Sequence, residues 1–363
     1  MPALNSWLVT KWDDVIRVTT DIETFTAVDK KAPVVRHFGD PAIIHVDGTV
    51  HRELRKGIAP HYAANKVTEY IDHIVRPIAR ECIAAFPENG EIDLLATYFE
   101  PISALTLTRT FGVMDADIET LRRWFHGLAM GAINFGRDAE RTAICEKTKA
   151  EINEAFDPIF DALEAEPNDT PISHLLYHGM PEGERRAREY VMPTILVTLL
   201  AGMQEPGHGA ANTLVGLLEH PDQMALVRSD IETHLKKAVS EGIRWVAPIG
   251  TQGRSPMKDV EIREVHIPAG ATISAVIASA NHDEEIYPSG DVFDMTREHK
   301  QIATFGFGPH FCAGKWMSLA QMELALRILL EEFSEITLDQ DKPHAFSGWE
   351  FRAPNQLYVK LTK

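Results

Sequence analysis

Ten residues, Phe305-Gly306-Phe307-Gly308-Pro309-His310-Phe311-Cys312-Ala313-Gly314, constrain this chain more than any other stretch. Gly308 and Gly314 permit tight backbone turns on either side of Cys312. An apolar run over about 313–333 follows and predicts a long helix. Glu323 and Arg327 are almost the only charges on its first four turns, so it should be buried on most sides. A sulfur at the start of such a helix meets its free amides and the positive end of its dipole, which favour thiolate over thiol. Rings at Phe305 and Phe311 should keep water away. A lone cysteine before a helix would read as a structural residue. The extended spacing F-x-x-G-x-H-x-C-x-G points instead to an iron ligand.

The rest of the chain is ordinary in composition and acidic in charge. Its 363 residues carry 36 Lys and Arg against 53 Asp and Glu, a net charge of −17. Such a surface repels phosphate backbones and anionic lipid, so neither nucleic acid nor membrane is an expected partner. Cys82, Cys145 and Cys312 are too few for a disulfide framework or a four-thiolate zinc site. The start, MPALNSWLVTKWDDV, lacks the basic and apolar regions of a secretory signal. The most apolar run, 191–203, is short and holds Pro193, Thr194 and Thr198, so it reads as a buried core helix and not a span. A cytoplasmic enzyme is expected.

No repeat or flexible linker divides the sequence, which predicts one domain over 1–363, mainly α with a smaller β-rich part. Helix-rich regions are expected over about 50–245 and 313–333, with individual helices at 67–86, 117–133, 148–165 and 184–220. The β-rich pieces fall near the N-terminus, in 246–280 and in 335–363. Strands are expected at 260–262, 265–268 and 271–277, with a Pro-Ala-Gly turn at 268–270, and again at 335–338 and 356–361.

Two further spacings bear on the cysteine loop. Glu241-Gly242-Ile243-Arg244 puts an acid and a base three apart on one helix face, where they can pair. His51 and Arg55, four apart, likewise share a face. In isolation either pair would read as a solvated surface feature. Together with the Cys312 loop they make the chain resemble the cytochrome P450 family. That resemblance implies haem b with Cys312 as the proximal iron ligand, whose electron donation favours O–O cleavage. It implies that His51, Arg55, Arg254 and His310 approach the haem propionates through charge-assisted hydrogen bonds. It also implies a scaffold network of Glu241, Arg244 and Arg297. The chain opens close to the family's early Trp-Leu-Val-Thr strand, at 7–10. The family's usual first helix and first strand are therefore expected to be missing, leaving an incomplete β edge.

Leu199-Leu200-Ala201-Gly202-Met203-Gln204-Glu205-Pro206-Gly207-His208-Gly209 aligns with the family's helix across the distal haem face. Relatives usually carry an acid and a threonine there as a proton relay. Here Gln204 replaces the acid and Glu205 the threonine. Pro206 removes a backbone donor and should kink the helix. A carboxyl group in an apolar pocket has a raised pKa and exchanges protons near neutrality. Glu205 is therefore expected to act as acid and base toward hydrogen peroxide, with Gln204 orienting it.

Three stretches sharpen the resemblance toward bacterial O-demethylases of guaiacol and syringol, the lignin-derived methoxyphenols. They are Phe38-Gly39-Asp40-Pro41-Ala42-Ile43-Ile44, Gln204-Glu205-Pro206-Gly207-His208-Gly209 and Gly348-Trp349-Glu350-Phe351-Arg352. Phe38 and Phe351 match pocket phenylalanines of that group, and Ala132 falls where a third would stand. The missing ring opens space for syringol's second methoxy group. The implied reaction gives a catechol-type phenol and formaldehyde, driven by hydrogen peroxide or by O2 with a separate NAD(P)H-dependent reductase. Two alternatives stay open: a reductase-dependent hydroxylase of another small aromatic or fatty acid, and a non-catalytic haem sensor.

Overall fold

The computed structural model describes residues 6–87, 91–113, 116–298 and 301–363. In chain order its α-helices are α1 (Trp12–Thr20), α2 (Pro33–Phe38), α3 (Gly48–Ile58), α4 (Ala64–Tyr70), α5 (Arg76–Ala84), α6 (Glu100–Phe111) and α7 (Ile118–Ala132). They continue with α8 (Ala139–Ala165), α9 (Pro171–Tyr177), α10 (Arg188–Glu219), α11 (Pro221–Ser229), α12 (Ile231–Trp245), α13 (Ile277–Ala280) and α14 (Lys315–Glu332). The fold is mainly helical with small sheets, as the sequence predicts.

Where helix ends differ from expectation, a specific contact decides. Asp117 accepts the Thr120 amide and starts α7 where predicted. The helix expected at 148 begins at Ala139, because Asp138 caps the Arg141 amide. Its first turns are largely exposed and show no apolar stripe to read. The helix expected at 184 begins at Arg188. Arg186 instead lies along the end of α9, its amide bonded to Leu176 O at 2.9 Å and its guanidinium to the carbonyls of Leu175 and His178. Helices α4 and α5 join through a π-helical turn at Ile71–Val75 in place of one regular helix.

The strands are β1 (Trp7–Val9), β2 (Phe25–Thr26), β3 (Glu91–Asp93), β4 (Gln252–Pro256), β5 (Val260–Ile262), β6 (Val265–Ile267), β7 (Ile273–Ala275), β8 (Glu335–Leu338), β9 (Phe346–Ser347), β10 (Ala353–Pro354) and β11 (Tyr358–Thr362). One sheet runs β1-β7-β4-β2, with β1 parallel to β7 at its edge and the other pairs antiparallel. Strand β4 escaped the sequence reading because Gly253 and Pro256 weaken its strand signal. A second sheet runs β3-β11-β8.

Two apolar cores result. The larger surrounds α10, which is buried along most of its 32 residues and packs on α6, α7, α12 and α14. The smaller lies between α1 and the four-stranded sheet and includes Phe307 of the cysteine loop, whose ring meets Trp12 edge-on at 5.6 Å. Helix α10 runs unbroken through Pro193 and Pro206. The expected kink does not interrupt it, since α6 supplies a substitute donor where Pro206 removes one.

Candidate active site

The loop before α14 holds Cys312 by its own backbone. Gly306 and Gly308 both adopt φ +67°, and a Cβ on Gly308 would lie 2.7 Å from Thr19 O. Gly314, expected to permit a similar turn, has φ −87° and instead caps α14. The Cys312 amide donates to Phe305 O at 2.9 Å, closing the loop. Burial pushes the Cys312 thiol up, and the Glu205 carboxylate across the pocket adds to this. The Gly314 and Lys315 amides and the Arg55 guanidinium pull the other way. The helix terminus thus acts on the sulfur as expected, but burial outweighs it. A coordinated metal ion would remove the remaining proton outright. Lys315 lies over the rings of Phe305, Phe311 and Trp316 at 5.8, 5.2 and 4.9 Å.

Beside this loop four cationic or titratable side chains converge on very little negative charge. His51 and Arg55 come from one face of α3, Arg254 from β4, and His310 from the 3-10 turn before Cys312. The His51 and His310 rings lie 4.2 Å apart. His310 Nε2 meets Asp47 Oδ1 at 2.8 Å, and Asp47 Oδ2 accepts from Thr26 Oγ1 at 2.6 Å and from the Ala27 amide at 2.9 Å. Burial alone would raise the Asp47 pKa, yet these donors hold it well below the usual carboxylate range. Burial, His310 and Arg55 push His51 down to about 4. Arg254 Nη2 is buried without a partner, and Arg55 forms no ion pair among the described residues. Unpaired buried guanidinium is costly. The set therefore fits a dianionic ligand such as the two propionates of haem. Asp47 was not legible in the sequence, because its imidazole partner is 263 residues away.

Glu205 stands on α10, close enough to Cys312 to act on its thiol electrostatically. It is buried, and neither carboxyl oxygen has a hydrogen-bond partner. Desolvation raises its pKa well above the ordinary value, with only weak opposition from the Glu205 and Gln204 amides. Gln204 does not orient it. Its Nε2 donates instead to Glu100 Oε1 of α6 at 3.0 Å, one residue's rotation around the helix. Arg122 of α7 stands 3.7 Å from the other Glu100 oxygen, and His208 Nε2 lies 3.8 Å from Oε1. A cavity of about 230 Å³ opens beside this group, lined in part by Glu100, Arg122, Phe125, His126 and Gln204.

The expected substrate residues lie on elements that pack around α10. Phe38 ends α2 and is buried, and Ala132 ends α7 and is buried. Helices α2 and α7 pack on each other and on α10. Phe351 is fixed by a bridge to Ile249, while Asn212 of α10 donates to the next carbonyl, Arg352 O, at 3.3 Å. The Phe351 ring meets Phe125 of α7 edge-on at 5.7 Å, so Phe125 joins a set from which the sequence reading omitted it.

The scaffold pair is well formed. Arg244 donates to both oxygens of Glu241 at 2.7 Å, with side chains only 1% and 6% exposed. Arg244 also donates to the carbonyls of Asn281, Gly290 and Val292. Arg297 stands 3.4 Å from Glu241 Oε1 and ties Pro288, Ser289 and Val292 through their carbonyls.

A half-buried cysteine just before a helix, with a cationic cradle beside it, is an arrangement suited to a haem-thiolate protein. A family model for cytochrome P450 matches residues 9–360, and the chain belongs to that family of monooxygenases, whose cofactor is haem held by a cysteine thiolate. It is 28% identical over 359 residues to 6-deoxyerythronolide B hydroxylase of Saccharopolyspora erythraea, covering 93% of this chain and 85% of that protein. It is 26% identical over 339 residues to vitamin D(3) 25-hydroxylase of Pseudonocardia autotrophica, covering 92% and 81%. The crystal structure of P450BioI with an acylated acyl carrier protein superposes with a TM-score of 0.88 at 21% identity, covering 98% of this chain and 92% of that one. These relatives are named for other chemistry, so any methoxyphenol specificity rests on this chain's own residues. No helix among the described residues is long and apolar enough to cross a membrane.

Proposed function

We propose that this chain is a cytoplasmic haem-thiolate O-demethylase of methoxyphenols, accepting syringol at least as well as guaiacol, that uses hydrogen peroxide as its oxidant. The observation that carries this reading is the buried, unpartnered carboxyl group of Glu205, close enough to Cys312 to act on its thiol electrostatically. Haem, when bound, supplies the oxidising chemistry at the methoxy carbon. Glu205 then has one task. A carboxylate oxygen takes a proton from one peroxide oxygen and returns it to the other as the O–O bond breaks. Overall, methoxyarene and H2O2 give phenol, formaldehyde and water through a hemiacetal that collapses. Phe38 and Phe351 suit a compact aromatic guest, and Ala132 leaves room for a second methoxy group.

The test is formaldehyde release from syringol by haem-loaded protein with hydrogen peroxide and no reductase or nicotinamide. Release that is lost in Glu205→Ala, with haem retained, supports the reading. Release only with NADH and a reductase would make the chain an oxygen-dependent monooxygenase with Glu205 as a substitute relay. A substrate-induced shift in haem absorbance with no product under either regime would favour the sensor.

A further inference from the structure

A second cluster of ligating side chains lies away from the haem pocket. His61 sits in the 3-10 turn Ala59–Tyr62 that follows α3, and His174 is on α9. His61 Nε2 and His174 Nδ1 are 2.9 Å apart, and His174 Nε2 is 3.3 Å from Asp169 Oδ1. The ligating atoms of all three residues fall within 4.8 Å of one another. His61 is 2% exposed, whereas the side chains of His174 and Asp169 are 33% and 68% exposed. The cluster therefore has a buried floor and an open mouth.

We propose that His61, His174 and Asp169 form a haem-independent site for one divalent transition cation of the zinc class. Two imidazoles and a carboxylate, with water in the fourth position, are a donor set that zinc accepts. Tetrahedral zinc holds its ligand atoms about 3.3 Å apart, the present separation of His174 Nε2 and Asp169 Oδ1, so the His61–His174 hydrogen bond through Nδ1 must give way for His61 to join them on the ion. Burial, and to a lesser degree His174, lower His61 to about 4, so its ring is neutral at pH 7 and need not lose a charge to bind. Two features set the strength. His61 Nδ1 is buried with no acceptor, so the outer hydrogen bond that sharpens a histidine ligand is missing. Lys66 also stands 3.5 Å from Asp169 and competes for it, although it has a second anion in Glu69 at 3.1 Å. The ion would tie the turn after α3 to α9. Those helices already meet closely at Gly57, where a Cβ would lie 3.1 Å from Leu175 Cα.

The test is calorimetric titration of chelator-treated holoenzyme with zinc chloride, with thermal melting alongside. One ion per chain is expected, bound about 10–100-fold more weakly than by a site whose histidine has its outer hydrogen bond. The melting temperature should rise about 3–4 °C with free zinc a hundredfold above Kd. His174→Gln and Asp169→Asn should each weaken binding about tenfold or more, with the haem spectrum unchanged. Lys66→Ala should tighten it. Magnesium, which prefers an all-oxygen shell, should not bind. Cys82 is a poor competitor, its thiol pushed up to about 11 by burial. No saturable uptake below 1 mM overturns the proposal, as does uptake of equal strength in His174→Gln and Asp169→Asn.

Discussion

The hydroxyl of Ser103 donates to the carbonyl of Gly202 at 3.2 Å. Pro206 has no amide hydrogen, so this carbonyl, four residues earlier, loses its usual helical partner. Gln321 of α14 in turn donates to Ser103 at 3.3 Å, which links the helix behind Cys312 to the helix that carries Glu205. Ser103→Ala should lower stability by about 1–2 kcal/mol, the cost of a buried carbonyl left unpaired. Urea unfolding followed at the haem band measures it. An unchanged midpoint would mean water replaces the hydroxyl.

Glu205 and Gln204 should separate in kinetics because their side chains leave the helix in different directions. Glu205→Gln keeps the size and removes the base, so peroxide-driven turnover should fall about 10²–10⁴-fold. Gln204→Ala breaks only the bond to Glu100 and should cost less than about tenfold. Single-turnover formaldehyde yields at fixed peroxide distinguish them. Equal losses would restore the expectation that Gln204 positions the acid.

The end of α7 should set the preference between the two methoxyphenols. Ala132→Phe fills the space where the second methoxy group would lie, so kcat/KM for syringol should fall about tenfold relative to guaiacol. Parallel losses on both substrates would remove Ala132 from the pocket.

Glu241 and Arg244 are a bidentate, almost fully buried pair, and Arg244 also binds the carbonyls of Asn281, Gly290 and Val292. Glu241→Gln leaves Arg244 buried without its carboxylate partner and should cost about 3–5 kcal/mol. Low haem occupancy in purified protein and a lowered melting temperature are the expected signs.

His61 should make stability fall in mild acid. Its pKa is lowered from 6.5 to about 4 by burial first and by His174 second. Between those values the unfolded chain binds a proton that the folded chain refuses. The stabilisation is therefore complete above pH 6.5 and is lost as pH falls toward 4. Urea midpoints at pH 7, 5.5 and 4.5, with chelator present, should drop less steeply in His61→Gln than in the wild type. Identical slopes would assign the acid sensitivity elsewhere.

What the sequence revealed follows from how local each signal is. Cys312, its glycines and the helix behind it are neighbours in the chain, and so are Glu241 and Arg244, so their spacing could carry the family resemblance that gave them roles. Asp47 and Glu100 act on partners 263 and 104 residues away, and no periodicity records such meetings. The same limit explains Gln204. Adjacency to Glu205 suggested cooperation, whereas the 100° step of a helix points the two side chains apart. Helix starts failed for a related reason. Asp138 and Arg186 fix the ends of α8 and α10 through contacts that apolar patterning does not show.

Helix α10 works as a ruler as well as a core. Its 32 residues span about 48 Å at 1.5 Å per residue, in contact with α2, α6, α7, α12 and α14 along the way. A substitution at Leu200 or Thr198 alters one contact. One inserted residue at the same place turns everything beyond it through 100° and moves Glu205 off the pocket, Gly209 off Met322 and Asn212 off the chain that holds Phe351. Descendants of this sequence are thus free to vary in the spelling of α10 but not in its letter count, while length changes should collect in the loops between helices.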